Sequence, residues 1–310
     1  LEIGIPRAAR PQSNLSCILI DESVAGGLLP HRSTSGHKGS FGHLGVVAGS
    51  IGMTGAAALC SEAGLRSGAG LVTLVCPSEL QPILEVKLTE VMTRPLTGQQ
   101  SYLRSDNCDE LETLCAGFQS LVLGPGLGQN PQTVIAVRQL VSACCSPLVI
   151  DADGLNALVG ALNVLPESDA SPPILTPHPG EFSRLTGLSI AEVESDRFRL
   201  ARRFAIEHHV VLLLKGAQTL IAGPDGRVRI NSSGNVGLAT AGSGDVLSGL
   251  IGGLLAQGLT PFDAASLGAW LHGAAADLLA DEIGCAGMLA GDLLKTIPVV
   301  RHQLEGVCTC

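Results

Sequence analysis

The sequence predicts an α/β fold, a mostly parallel central sheet with helices on both faces, and three observations carry that expectation. Short apolar runs alternate with longer Ala- and Leu-rich segments along most of the 310 residues. Such alternation is the mark of strand–helix–strand units whose crossovers cover both faces of a sheet. Hydrophobic residues make up 45% and charged residues only 15%, against about 25% charged in an average domain. This excludes intrinsic disorder and supplies apolar surface for elements buried on more than one side. Glycine is abundant, 39 residues without a G-X-Y period, nearly twice the usual ~7%. That excludes collagen and points to tight turns and close approach of backbone to ligand.

The elements follow in order. Residues 1–36 read as irregular, with several Pro, Gly and Ser. His43–Ala48 is a short apolar run suited to a buried strand, Thr54–Arg66 is an Ala/Leu helix, and Leu71–Cys76 is the next strand. Leu121–Leu123 ends a strand and runs into Gly124-Pro125-Gly126-Leu127-Gly128. Pro131–Val141 is helical, with Pro131 at an early helix position. Leu148–Ile150 is a strand leading to Asp151-Ala152-Asp153, and Ile174-Leu175 one leading to Thr176-Pro177-His178-Pro179-Gly180-Glu181. Ile190–His208 reads as one surface helix, and Val210–Leu214 as a strand ending at Lys215. Thr219–Ala222 and Arg227–Ile230 flank Gly223-Pro224-Asp225-Gly226, a hairpin signal. Gly242–Gly258 and Phe262–Ala280 are long helices apolar on more than one face. No linker divides the regular part, so one domain is expected over 31–310, preceded by an extension over 1–30.

Chemistry-bearing residues collect at the carboxyl ends of the strands, where open α/β sheets bind ligands. The loop Thr240-Ala241-Gly242-Ser243-Gly244-Asp245 precedes an apolar helix. Its glycines leave the backbone open to an anion, and the helix N-terminus offers free N–H groups. Asp245 fits two roles there, a helix cap or a general base beside bound phosphate. Three glycines within Gly124–Gly128 fit a plain turn or a ligand approaching the backbone. His178, between two prolines, fits a structural histidine or a ligand contact. Glu181 fits a helix start or a water-mediated hold on Mg²⁺. Asp151 and Asp153 point to opposite faces if extended. Lys215 fits a solvated strand end or a nucleotide contact. There is no GxxxxGK[ST] and no G-x-G-x-x-G, which excludes the P-loop and weighs against a dinucleotide-dependent oxidoreductase.

The formal charge of −9 argues against a nucleic-acid partner. No apolar run approaches the ~20 residues of a membrane span, and no signal-peptide pattern opens the chain, so a cytoplasmic location is expected. None of the ten cysteines forms a C-x-x-C pair. Cys60, Cys76 and Cys115 read as small buried hydrophobes in a reducing compartment. Cys144–Cys145 and Cys308-Thr-Cys310 lack a histidine cluster that would make a metal site.

These segments together resemble the ADP/ATP-dependent NAD(P)H-hydrate dehydratases of the ribokinase-like superfamily. The resemblance runs from about Lys38 to near the C-terminus. It rests on HKGSFGHLGVVAGSIGMTGAAAL (37–59), LRSGAGLVTL (65–74), LGPGLG (123–128), VIDADGLN (149–156), LTPHPGEFSRL (175–185), LKGAQTLI (214–221) and GLATAGSGDVLSGLIGGLLAQG (237–258). It implies a ribokinase-like fold and nucleotide-dependent removal of water from (S)-NADH or (S)-NADPH hydrate, with ADP converted to AMP and phosphate, or with ATP. It implies Ala56, Gly126, His178 and Asp245 at the hydrated dinucleotide, with Asp245 catalytic. Lys215, Gly216, Ala217, Gln218, Thr219 and Gly244 fall at the adenine nucleotide. Mg²⁺ is implied with the nucleotide, Glu181 being its candidate residue, and a homotetramer is implied. Leu1–Pro6 is similar to the segment that joins an upstream epimerase domain to this one in two-domain members, so a fused or separate epimerase is expected. A small-molecule kinase acting on a thiazole or pyrimidine precursor is the alternative. Such kinases usually carry Asn in the slot of His178.

Overall fold

The computed structural model describes residues 17–166 and 171–307. The Leu1–Pro6 segment and Cys308–Cys310 lie outside them. The strands are β1 (Cys17–Ile20), β2 (His43–Val47), β3 (Leu71–Cys76), β4 (Met92–Pro95), β5 (Ser120–Leu123), β6 (Leu148–Ile150), β7 (Ile174–Leu175), β8 (Val211–Leu214), β9 (Leu220–Ala222) and β10 (Val228–Asn231). They form one sheet in the order β1-β10-β9-β8-β7-β6-β5-β2-β3-β4. Every neighbouring pair is parallel except β8–β9 and β9–β10, so β9 alone runs against the rest. The predicted hairpin is that pair, closed where Gly226 N–H donates to Gly223 O.

Successive residues of each strand feed opposite faces. Leu44, Val46, Val122, Val149, Val211 and Leu213 belong to one core. Helices α2 (Thr54–Arg66), α10 (Ser243–Ala256), α11 (Pro261–Ile283) and α12 (Ala290–Val307) cover it. Val47, Leu121, Leu123, Ile150, Leu212 and Leu214 belong to the other. That face is covered by α4 (Cys108–Cys115), α5 (Pro131–Ala143), α6 (Asp153–Ala157), α7 (Pro179–Thr186), α8 (Ile190–Ser195) and α9 (Arg197–Glu207). Two short helices, α1 (Glu22–Gly26) and α3 (Gln81–Lys87), complete the set among the described residues.

Helices α10 and α2 pack in close contact. A Cβ on Gly249 would lie 1.9 Å from Cys60 O, and one on Gly253 would lie 2.0 Å from Ser67 Oγ. Two glycines one turn apart therefore let the helix backbones touch. Cys60, Cys76 and Cys115 are buried and free, as expected, and burial raises all three thiols, Cys76 and Cys115 to about 12. None of the helices among the described residues is long and apolar enough to cross a membrane.

Two expectations need correction. Residues 17–26 are not irregular: β1 pairs in register with β10 and is followed by α1, whose N-cap Asp21 accepts from Val24 N–H at 2.9 Å. The surface helix over 190–208 is two helices, broken at Asp196, whose carboxylate accepts from Arg199 N–H and starts α9.

Candidate active site

The direction of chain progress along the sheet reverses between β2 and β5, which are adjacent and parallel. Ligand crevices form at such a reversal, beyond the carboxyl ends of the strands. Here the loops after β2 and β5 are stitched together. Gly49 N–H donates to Pro125 O at 2.9 Å, and the buried Ser50 hydroxyl donates to Gly126 O at 2.8 Å. Gly126 has φ +61, and a Cβ there would sit 3.0 Å from Ala56 Cβ. Ala56 and Gly126, two of the expected substrate contacts, thus line the same wall.

Beside this wall β6 ends in Asp151. Ala152 adopts φ +49, which turns the chain at once into α6. Asp153 Oδ2 accepts from Gly128 N–H at 2.8 Å and so fixes the glycine loop locally. Asp151 is buried, and its Oδ1 takes a 2.9 Å ion pair from Lys215 Nζ. The segment is not extended as the opposite-face reading required; the turn at Ala152 is what separates a loop-holding Asp153 from the buried Asp151 paired with Lys215.

After β7, His178 caps α7. Its Nδ1 accepts from Gly180 N–H (3.0 Å) and Glu181 N–H (3.3 Å), while Glu181 Oε2 accepts from His178 N–H (2.8 Å). Two acceptor contacts at Nδ1 place the proton of the neutral ring on Nε2. Burial lowers the His178 pKa, Lys215 lowers it further, and Glu181 opposes both. The half-exposed ring is neutral at pH 7, with an N–H donor available to a ligand. Its capping role and its ligand role are compatible.

Lys215 closes β8, its N–H tied to Pro177 O at 2.9 Å. Its ammonium lies 2.9 Å from Asp151 and 3.7 Å from Glu181. Burial works against the charge, but these carboxylates and Asp245 outweigh it and raise the pKa. Gly216, Ala217 and Gln218 follow as an exposed turn, with Gly216 at φ +144 and Gln218 at φ +56. Thr219 Oγ1 donates to Gly216 O. The turn is held from behind by Arg197, the first residue of α9. Its guanidinium donates to Ala217 O (2.7 Å), Leu214 O (3.2 Å) and Lys215 O (3.2 Å). Nothing in the sequence marks Arg197 among the arginines of α9, because its partners lie 17–20 residues away.

The fourth component is α10. Its N-cap Gly242 has φ +88 and no side chain caps the helix. The N–H groups of Gly244 and Asp245 thus face the crevice with no intrahelical acceptor. Ser243 Oγ lies 3.3 Å from Nε2 of the buried His272, whose pKa burial pushes down to about 4. Asp245 does not cap the helix, so the capping role drops out. Its carboxyl makes no hydrogen bond or ion pair with the described residues. Burial pushes its pKa up to about 7, helped by Asp151 and opposed by Lys215, with Asp153 and Glu181 adding to the rise. A position for Cβ on Gly244 lies 3.4 Å from Lys215 Nζ, so the lysine and the glycine turn are neighbours. The arrangement is an anion cradle, a cation beside it and a half-buried carboxylate able to take a proton near neutrality.

A family model of NAD(P)H-hydrate dehydratases matches residues 44–299, which contain all of these components. The chain belongs to the NAD(P)H-hydrate dehydratase family. It is 47% identical over 98% of its length to a bifunctional NAD(P)H-hydrate repair enzyme of Moorella thermoacetica, of which it covers 57%. It is 39% identical to an ADP-dependent (S)-NAD(P)H-hydrate dehydratase of Neisseria meningitidis, covering 88% of this chain and 89% of that one. The chain spans about half the length of the bifunctional relatives it matches. A crystal structure of the ADP/ATP-dependent NAD(P)H-hydrate dehydratase of Bacillus subtilis, co-crystallised with ATP/Mg²⁺, superposes with a TM-score of 0.81 at 32% identity, covering 93% of this chain and 99% of that one. A hydroxyethylthiazole kinase of Pyrococcus horikoshii, 15% identical with a TM-score of 0.59, shares the fold. A ribokinase-like superfamily protein of Enterococcus faecalis, 23% identical with a TM-score of 0.80, also shares the fold, which is ribokinase-like as the motifs implied.

On the function proposed for the chain, Arg197→Met is expected to raise KM for the nucleotide about tenfold, the loss of roughly 1.4 kcal/mol of loop order, with kcat nearly unchanged. Steady-state kinetics with the nucleotide varied would check it.

Proposed function

We propose that the chain removes water from (S)-NADH and (S)-NADPH hydrate to restore the dihydronicotinamide, converting ADP to AMP and phosphate. The observation that carries this reading is the Asp245 carboxylate, which makes no hydrogen bond or ion pair among the described residues. It stands in the first turn of the uncapped α10, next to Gly244, which neighbours Lys215. The hydrated ring stacks against Ala56 and Gly126, and His178 Nε2–H donates to it. The nucleotide lies on Lys215–Thr219, with its terminal phosphate at the Gly244 N–H.

Asp245 takes the proton of the ring hydroxyl as that oxygen attacks the β-phosphorus of ADP and AMP departs. The hydroxyl has then become a phosphate ester, a far better leaving group than hydroxide. The ring nitrogen lone pair expels phosphate, and loss of a proton from the neighbouring ring carbon restores the double bond.

No group of three or more His, Cys, Asp or Glu side chains that could hold a metal is found among the described residues. Glu181 already faces Lys215 and the His178 N–H. This donor set fits an ion carried in by the nucleotide, with Glu181 reaching it through water. Such an ion, when bound, neutralises charge on the phosphates. A homotetramer and a cytoplasmic location belong to the same reading, as does an epimerase acting alongside.

The test is near-ultraviolet absorbance of a mixture of protein, Mg²⁺, hydrated NADPH and either nucleotide. A rise that needs nucleotide, faster with ADP, is the expected result. No rise with either, in protein that binds AMP, would return the small-molecule kinase as the leading reading.

A further inference from the structure

We propose that Asp151 is a positioning residue, whose carboxylate locks the Lys215 ammonium to the Gly242–Asp245 turn so that nucleotide phosphate and general base meet in register. The inference rests on the function proposed above and adds to it a residue that touches neither substrate nor nucleotide there.

The geometry is a three-way tie. Asp151 Oδ1 takes the Lys215 Nζ at 2.9 Å. Asp151 Oδ2 accepts from Ser248 Oγ, one turn into α10, and the same hydroxyl lies 3.0 Å from Gly244 O. The carboxylate is therefore bonded at one oxygen to the end of β8 and at the other to α10. Its own backbone is clamped as well. Asp151 N–H donates to Leu123 O at 3.1 Å, and a Cβ on Gly124 would fall 1.9 Å from Asp151 O. Three of the loops that build the site thus meet on one residue, which is 1% exposed. Lys215 alone, on a flexible four-carbon stem, would have many rotamers. Held by Asp151, it has one.

The carboxylate also acts through its charge. Asp245 is faced by Asp151 and Asp153 from the β6–α6 junction, by Lys215 from the end of β8 and by Glu181 from α7. The Cys60 thiol faces it from α2. Asp151 is the nearest in effect of the like charges that resist ionisation of Asp245, so its removal should let Asp245 ionise at lower pH.

Two variants test this, Asp151→Asn and Ser248→Ala, with thermal melts to confirm folding. Asp151→Asn is expected to weaken ADP binding and raise KM for ADP about tenfold. It should also move the acid limb of the pH–rate profile down by about half a unit or more. A residue that only supports the fold would lower the melting temperature and leave both readouts in place. Folded Asp151→Asn with wild-type ADP affinity and an unmoved acid limb would overturn the proposal. If Asp151→Asn does not fold, Ser248→Ala decides: KM for ADP raised about threefold or more supports it, and an unchanged KM overturns it. ADP binding is read by calorimetry without the hydrate. Wild-type protein that fails to dehydrate while Asp151→Asn still loses ADP affinity would sink the proposed function and leave the positioning role standing.

Discussion

Asp245→Asn is expected to lower kcat about a thousandfold while ADP still binds. The carboxylate makes no hydrogen bond or ion pair with the described residues, so its replacement breaks none there, and the loss falls on proton transfer, worth about 10²–10⁴. In the wild-type enzyme the rate should rise through about pH 7, where this carboxyl loses its proton; the variant should lack that limb. The same substitution should stabilise the fold at alkaline pH. An ordinary aspartate in the unfolded chain titrates near 4, so between about pH 4 and 7 the folded state holds a proton that the unfolded state has released. Stability is therefore lost as pH rises through that window, up to about 4 kcal/mol for a shift of this size. Melting temperatures of the two proteins should coincide near pH 4 and separate by a few degrees at pH 8, with the variant higher. A variant that melts below wild type at pH 8 would show that Asp245 is not the strained group.

The second large effect concerns packing. Gly249→Ala places a methyl group 1.9 Å from Cys60 O, a backbone atom that moves only if α2 moves. Separation of the two helices should cost about 3 kcal/mol or more and lower the melting temperature by roughly 5 °C or more. Activity should fall too, because α10 carries Gly244 and Asp245 while α2 carries Ala56. Gly291→Ala in α12 is the control. Its Cβ would meet nothing within 4 Å, and better helix propensity makes it neutral or up to about 1 kcal/mol stabilising.

The sheet was legible where strands are buried on both faces, since β2, β3, β5, β6 and β8 are short continuous apolar runs. Less was visible at its edges. β1 and β4 are mostly exposed or half-exposed, and β1 is completed only by β10, far along the chain. Helix α12 escaped notice, and Pro298 in its interior is a reason. The break at Asp196 was hidden because an aspartate in a charged stretch looks like an exposed helix position until its side chain is seen capping α9. In the candidate site, Gly126, His178, Lys215 and Asp245 are marked in the sequence by unusual local chemistry. Residues that act through partners far along the chain were not: Arg197 and Ser248 look ordinary until β8 and β6 are laid beside them.

The pairing of β1 with β10 joins segments roughly 200 residues apart in the chain. At ribosomal speeds of about 5–20 residues per second, Ile18 and Leu19 would leave the ribosome roughly 10–40 s before their partner strand exists. For that interval they form an unpaired apolar edge on the nascent chain, open to a chaperone or to the same strand of another copy. The sheet can be finished only after β10 is made, so this edge contact ties a segment to a partner synthesised about 200 residues later.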